Sequence, residues 1–331
     1  MSTRARPPIG GCHIVSTVLE LQNIDKTFET GRGLVHAVRD VSMSVSAGEV
    51  VGLVGESGSG KSTIANVVLG LEQPNRGEIM FRDRPQQQWL STDPREYRER
   101  VQAIFQHPIQ ALDGRKRVEW LIAEPLVIHG RGAPAARKQR VKELMADVNL
   151  DLSLLDRYPR ELSGGQAQRV NIARALALEP EMLVCDEPVS ALDVSVQAQI
   201  LNLLLSIQAS RSMAMLFISH SLPVVRHVSH RILVMYAGTI VESGDGQLIS
   251  GNPINPYTRL LMSAVSSDRS PRDSTEQQPV RESLPTAGCR FAPRCSLAIE
   301  QCTVAEPDLE QLEVGHSTRC WRSAELIDGA S

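Results

Sequence analysis

The sequence predicts an α/β fold in which a largely parallel sheet is covered by helices on both faces. Short apolar runs of strand length alternate with helical segments between residues 49 and 235, the pattern of strands buried on both sides. One of these runs also ends in a glycine-rich loop that opens directly into a helix. At 331 residues the chain can bury a full core and carry an extension besides.

In order along the chain, residues 1–16 read as a loose tail. Residues 18–24 alternate as a strand, and 35–45 continue as strand after a turn bearing Gly31 and Gly33. Residues 49–54 form a short buried strand. Residues 61–71 are helical, with Ile64, Val67, Val68 and Leu71 on one face. Two helices, 118–129 and 135–148, flank a break at 130–134, and 163–178 is a further helix stopped by Pro180. Strands return at 182–185, 214–218 and 232–235, with a helix at 195–208 between the first two. From 266 to 285 nearly every residue is polar, charged or proline, a linker composition that sets off a cysteine-bearing C-terminal segment. No internal repeat is present.

Composition narrows the function classes. The net charge of −3 offers no basic stripe for nucleic acid. No apolar run reaches the roughly eighteen residues needed to span a bilayer. The N-terminal residues carry arginines and prolines but lack the apolar stretch of a signal peptide. The expectation is a cytoplasmic chain whose membrane role, if any, comes through partner subunits. Six cysteines in a reducing compartment argue against a disulfide framework. Cys12 and Cys185 stand alone, whereas Cys289, Cys295, Cys302 and Cys320 cluster near the C-terminus.

The glycine-rich loop reads Gly55-Glu56-Ser57-Gly58-Ser59-Gly60-Lys61-Ser62-Thr63 and fits G-x-x-x-x-G-K-[ST] between strand and helix. Its glycines let successive N–H groups converge on phosphate oxygens, and the helix adds its partly positive N-terminus. Lys61 would reach the β- and γ-phosphates of ATP, and Ser62 would place a hydroxyl on Mg²⁺. The 182–185 strand delivers Asp186 and Glu187. Asp186 would serve the metal, and Glu187 would polarise the attacking water as general base. An Asp-Glu pair after an apolar run is by itself a common solvated turn; the phosphate loop upstream reverses that weighting.

Leu162-Ser163-Gly164-Gly165-Gln166 resembles the signature motif of ATP-binding-cassette proteins, and Ser163 lies 102 residues after Lys61, the family's order and spacing. The resemblance implies a cassette fold with a RecA-like core sheet, an antiparallel β subdomain and a helical subdomain. It places the nucleotide-binding domain at 17–250, the helical subdomain at about 107–178, a connecting segment and linker at 251–285 and the four-cysteine segment at 286–331. In this family two cassettes sandwich ATP head to tail, so Ser163, Gly164, Gly165 and Gln166 would cap the γ-phosphate held by a second cassette subunit. Gln106 resembles the glutamine that senses Mg²⁺ and water, and His220 the switch histidine that contacts the γ-phosphate. The stretch Ser190-Ala191-Leu192-Asp193 resembles the loop that crosses to the opposite site. Phe28 matches the aromatic that stacks on adenine, where the family more often has tyrosine and where a packed core residue competes. Ser221 departs from the usual aspartate after the switch histidine, and residues 107–113 depart from the common wording after Gln106.

Three stretches narrow the resemblance to subunits that energise uptake of dipeptides, oligopeptides and nickel. They are the run from Cys185 to Gln197, the run Asn255-Pro256-Tyr257-Thr258-Arg259, and the run from Gly288 to Cys295 with Cys302 and Cys320. The resemblance implies two membrane permease subunits, an extracytoplasmic solute-binding protein and a place on the cytoplasmic face of the membrane. Such importers often pair two different cassettes. Their cysteine segment implies a [4Fe–4S] cluster on Cys289, Cys295, Cys302 and Cys320. The spacing C-x5-C-x6-C-x17-C matches neither a zinc ribbon nor the ferredoxin run. Zn²⁺ stays open as the other metal, since tetrahedral sulfur ligation suits either, and unligated thiols or disulfides as the metal-free alternative.

Rival classes fit less of the chain. Chromosome-type cassettes insert a long coiled coil between phosphate loop and signature, translation-type members carry two cassettes, and a phosphotransferase leaves the Ser163–Gln166 stretch without a role.

Overall fold

A computed structural model describes residues 16–31, 33–266, 285, 287–313 and 315–328. The predicted tail, Cys12 and most of the 266–285 linker lie outside the described residues. Two sheets organise the chain. The smaller is antiparallel, in the order β2 (Gly33–Ser46), β1 (Thr17–Thr30), β4 (Arg76–Phe81) and β5 (Arg84–Pro85). Beside it lie α2 (Gln86–Thr92) and α3 (Pro94–Arg100).

The larger sheet has eight strands. Five run parallel in the order β9 (Arg231–Tyr236), β3 (Val50–Val54), β8 (Ala214–Ser219), β7 (Met182–Asp186) and β6 (Val101–Ile104). Beyond β9, the strands β10 (Thr239–Asp245), β12 (His316–Thr318) and β11 (Glu310–Glu313) pair antiparallel. The main sheet thus continues into the chain after residue 300.

Strand alternation divides the core into two layers. Val50, Val54, Cys185, Met215, Phe217 and Val234 face one cluster. It also takes in α4 (Val118–Ile128), α5 (Pro134–Asp147), α6 (Gly164–Leu176) and α7 (Val194–Arg211). Val51, Leu53, Val184, Leu216, Ile218 and Met235 face the other, against the antiparallel sheet and α1 (Lys61–Val68). Strands covered on both faces read as unbroken apolar runs, which is why β3 and β8 were recognisable without alternation.

The differences from the sequence reading are local. The first strand runs on to Thr30, because its far half pairs with β2 through register shifts that blur the alternation. Helix α1 stops at Val68. Gly70 then takes a left-handed turn at φ +69°, and Leu71, predicted on the buried face, is 63% exposed. The predicted connecting segment contains α10 (Pro256–Ser266), preceded by α8 (Leu222–Val228) and α9 (Gly246–Gly251). The cysteine-bearing part adds α11 (Glu300–Val304) and α12 (Ser323–Asp328).

Candidate nucleotide-binding site

The loop from Gly55 to Gly60 joins the C-terminal end of β3, an interior strand flanked by β9 and β8, to the N-terminus of α1. Gly60 caps the helix at φ +111°, and a Cβ there would lie 2.3 Å from the Ala37 carbonyl of β2, so glycine is required on both counts. Lys61 is buried. Its Nζ donates to the carbonyl oxygens of Gly55 at 2.7 Å and Glu56 at 2.8 Å, folding the ammonium back into the loop. Burial lowers the Lys61 pKa, and Glu187, Asp186 and Glu56 oppose that shift by attraction.

Strand β7 ends beside this loop. The Ser62 hydroxyl and Asp186 Oδ1 are 3.5 Å apart, a hydroxyl and carboxylate pair that suits a hard divalent cation such as Mg²⁺. Burial raises the Asp186 carboxyl pKa most, with the Ser62 hydrogen bond working against it. Glu187 is the hub of the site. Gln106 Nε2 donates to its Oε2 at 3.0 Å, and His220 Nδ1 lies 3.1 Å from the same oxygen. Its backbone is left-handed at φ +48°, strain of a kind that non-glycine residues keep only where surrounding structure enforces it. That enforcement is visible: the Glu187 N–H donates to Ile218 of β8, and its carbonyl accepts from the Ser190 hydroxyl.

The structure therefore brings together Gly55–Thr63, Gln106, Asp186, Glu187 and His220. Phe28 is half-buried on β1, opposite Val35, itself two residues before the Ala37 that abuts the loop, with the Lys26 ammonium 4.9 Å from its ring centre. The signature stretch stands apart. Ser163 Oγ accepts from the Gln166 N–H, Gln166 Oε1 accepts from the Ser163 N–H, and together they cap α6. No hydrogen bond or ion pair among the described residues joins Ser163–Gln166 to the phosphate loop in one chain. Asp193 is exposed at the start of α7, next to Val194 at 82% exposure.

Sequence reasoning missed two neighbours of the loop. Tyr257 Oη accepts from the Glu56 N–H at 2.9 Å, and Arg294 forms a two-point ion pair with the Glu56 carboxylate. Both sit in stretches that stood out for resemblance, but nothing in the sequence pairs Arg294 with Glu56, 238 residues away.

Cys289, Cys295, Cys302 and Cys320 line one cavity together with Tyr236 and Phe291. None of the described cysteines forms a disulfide. Burial pushes the Cys289 and Cys295 thiols up, and that of Cys320 to about 11. Backbone N–H groups act in the other direction: those of Phe291 and Ala292 on Cys289, of Leu297 on Cys295 and of Arg322 on Cys320. N–H groups aimed at sulfur favour thiolates and fit thiolate ligation. Among the described residues no three His, Cys, Asp or Glu side chains converge on one point suited to a single metal ion.

A strand–loop–helix cradle facing a strand-end pair of acids defines a P-loop nucleotide-binding protein. Comparison with known proteins sharpens the class. Residues 38–190 match the ABC transporter family model, and residues 241–302 match the model for the oligopeptide/dipeptide transporter C-terminal region. A Brucella ovis protein provisionally named a peptide import ATP-binding protein is 41% identical over 310 residues, covering 92% of this chain and 98% of its own. The oligopeptide transport ATP-binding protein OppF of Haemophilus influenzae is 40% identical, covering 91% of this chain and 93% of its own. Among solved structures, the dimeric post-hydrolysis state of the ATP-binding cassette MJ0796 with ADP and Pi superposes with a TM-score of 0.62 at 29% identity. It covers 69% of this chain and 98% of that one. This chain belongs to the ATP-binding-cassette transporter family, as an ATPase. Among the described residues, no helix is long and apolar enough to cross a membrane.

Proposed function

We propose that this chain is the ATP-hydrolysing subunit of a peptide importer, attached to the cytoplasmic face of a membrane through two permease subunits and served by an extracytoplasmic solute-binding protein. The observation that carries the reading is that similarity to peptide-import subunits runs through 92% of the chain, including the C-terminal region that a bare cassette lacks.

In this reading the N–H groups of Gly55–Thr63 cradle the phosphates and Lys61 turns from the loop carbonyls to the β- and γ-oxygens. Ser62, Asp186 and Gln106 would hold Mg²⁺, which would supply positive charge to offset that of the phosphates. Glu187 accepts the proton of the attacking water, and His220 and Gln106 fix its carboxylate and sense the γ-phosphate. Phe28 stacks on adenine. Ser163–Gln166 and Asp193 serve the site of a second, related cassette chain, and their separation from the loop within one chain supports that division. The experiment is uptake of labelled di- and oligopeptides after deletion of this subunit. Loss restored by the wild-type chain supports the reading; peptide uptake unchanged while nickel uptake fails overturns the cargo assignment.

For the cysteine cavity we propose a [4Fe–4S] centre held by Cys289, Cys295, Cys302 and Cys320. Four cysteines lining one cavity, three of them accepting backbone N–H hydrogen bonds, support thiolate ligation there. When bound, such a centre supplies a structural staple to a segment with little core of its own. Anaerobically purified protein should be brown, absorb near about 400 nm and contain iron and acid-labile sulfide. Cys295→Ser should lose all three. Colourless protein with stoichiometric zinc would sink the assignment.

A further inference from the structure

Glu56, the second residue of the phosphate loop, is gripped by Tyr257 and Arg294 from outside the cassette motifs and by Lys61 from within them. Its N–H donates to Tyr257 Oη at 2.9 Å, and its carbonyl accepts from Lys61 at 2.8 Å. Its carboxylate takes two parallel hydrogen bonds from Arg294, Nη1 to Oε2 at 2.8 Å and Nη2 to Oε1 at 2.9 Å. Tyr257 lies on α10 and Arg294 in the turn between Cys289 and Cys295. Both are braced. The Arg294 guanidinium lies over the rings of Tyr236 and Phe291, each 5.8 Å from the ring centre. Tyr236, Tyr257 and Phe291 pack against one another with ring centres 4.6 to 5.4 Å apart. Nearby, Arg290 donates to the Ala237 carbonyl, and the next residue's N–H, that of Gly238, donates to the Ser59 carbonyl of the loop.

We infer that Arg294 and Tyr257 are positioning residues for nucleotide binding, through which the C-terminal cysteine segment holds the first turn of the phosphate loop and neutralises the carboxylate beside it. The inference rests on Gly55–Thr63 being the ATP site. Two physical effects combine. Fixing Glu56 at N–H and carboxylate removes conformations that the loop would otherwise lose on binding. Arg294 also cancels a negative charge that would face an incoming triphosphate. The competing account is an ordinary surface ion pair, worth little. Two-point geometry, aromatic faces around the guanidinium and side-chain exposures of 32% and 21% set this pair apart.

The test is titration of the full chain with a fluorescent ATP analogue and Mg²⁺. Arg294→Ala should weaken binding about ten-fold, the scale for truncating one partner of a partly screened two-point charge pair. Adding Glu56→Gln to Arg294→Ala should restore affinity to within about three-fold of wild type, because the orphaned charge is gone. Tyr257→Phe keeps the ring, loses the acceptor and should weaken binding about three-fold. By reciprocity of linkage, nucleotide should slow amide hydrogen exchange across residues 289–295 in the wild-type chain and not in Arg294→Ala. Folded Arg294→Ala that binds within two-fold of wild type, or losses that simply add in the double variant, would overturn the inference. Should Arg294→Ala not fold, Tyr257→Phe and the wild-type exchange measurement decide: unchanged affinity together with unchanged exchange overturns it. A wild-type chain that fails to bind nucleotide refutes instead the ATP-site reading.

Discussion

Glu187→Gln should bind ATP with close to wild-type affinity in the assembled transporter while turnover falls by about 10²- to 10⁴-fold, the range of a positioned general base. The geometry makes this substitution clean. Glutamine has the size of glutamate and can still accept from Gln106 and meet His220, both of which converge on one carboxylate oxygen. What it lacks is a proton-accepting oxygen. The left-handed backbone at φ +48° is enforced by β8 and Ser190 rather than by the side chain, so the turn should survive. Steady-state ATPase assays paired with nucleotide titration would decide it, and unchanged ATPase activity would remove the base role.

Lys61→Ala should act at the earlier step and weaken nucleotide binding by at least about 100-fold, as expected for losing charge-assisted hydrogen bonds to phosphate in a partly buried site. Without nucleotide, the ammonium is already buried and spends its donors on Gly55 and Glu56. Binding therefore exchanges two neutral acceptors for charged ones and needs no fresh desolvation. Alanine would leave those carbonyls to water and remove a cation facing Asp186, Glu187 and Glu56. Titration with labelled ATP measures the effect, and affinity within three-fold of wild type would contradict it.

The two sites differ in how openly the sequence announced them. Gly55–Thr63, Asp186 and Glu187 are set by local patterns, a loop spacing and the acids at the end of a buried strand, whereas Gln106 and His220 were legible only through the family resemblance. The parallel strands β3, β7 and β8 are apolar runs because both faces are covered, and the ends of β3 and β7 mark where chemistry sits. The Arg294–Glu56 contact is of another kind, since nothing in the spacing of two residues 238 apart encodes their meeting. The terminal strands hid for a different reason. β11 reads Glu-Gln-Leu-Glu and β12 His-Ser-Thr, so the buried positions of β12 are His316 and Thr318, and hydropathy alternation is absent. His316 is buried because Glu242 accepts its ring nitrogen at 2.9 Å, a pairing visible only in three dimensions.

That last pairing bears on how this protein can be cut and recombined. β12 closes the side of β10, and Glu242 meets both His316 and the backbone of Ile254 there. Trimming the chain after the last cassette motif would bare a row of backbone donors and acceptors along β10 and leave a fully buried carboxylate without its histidine partner. The autonomous folding unit is therefore larger than the catalytic motifs delimit, and chimeras between such ATPases should exchange the terminal hairpin and β10 as one block.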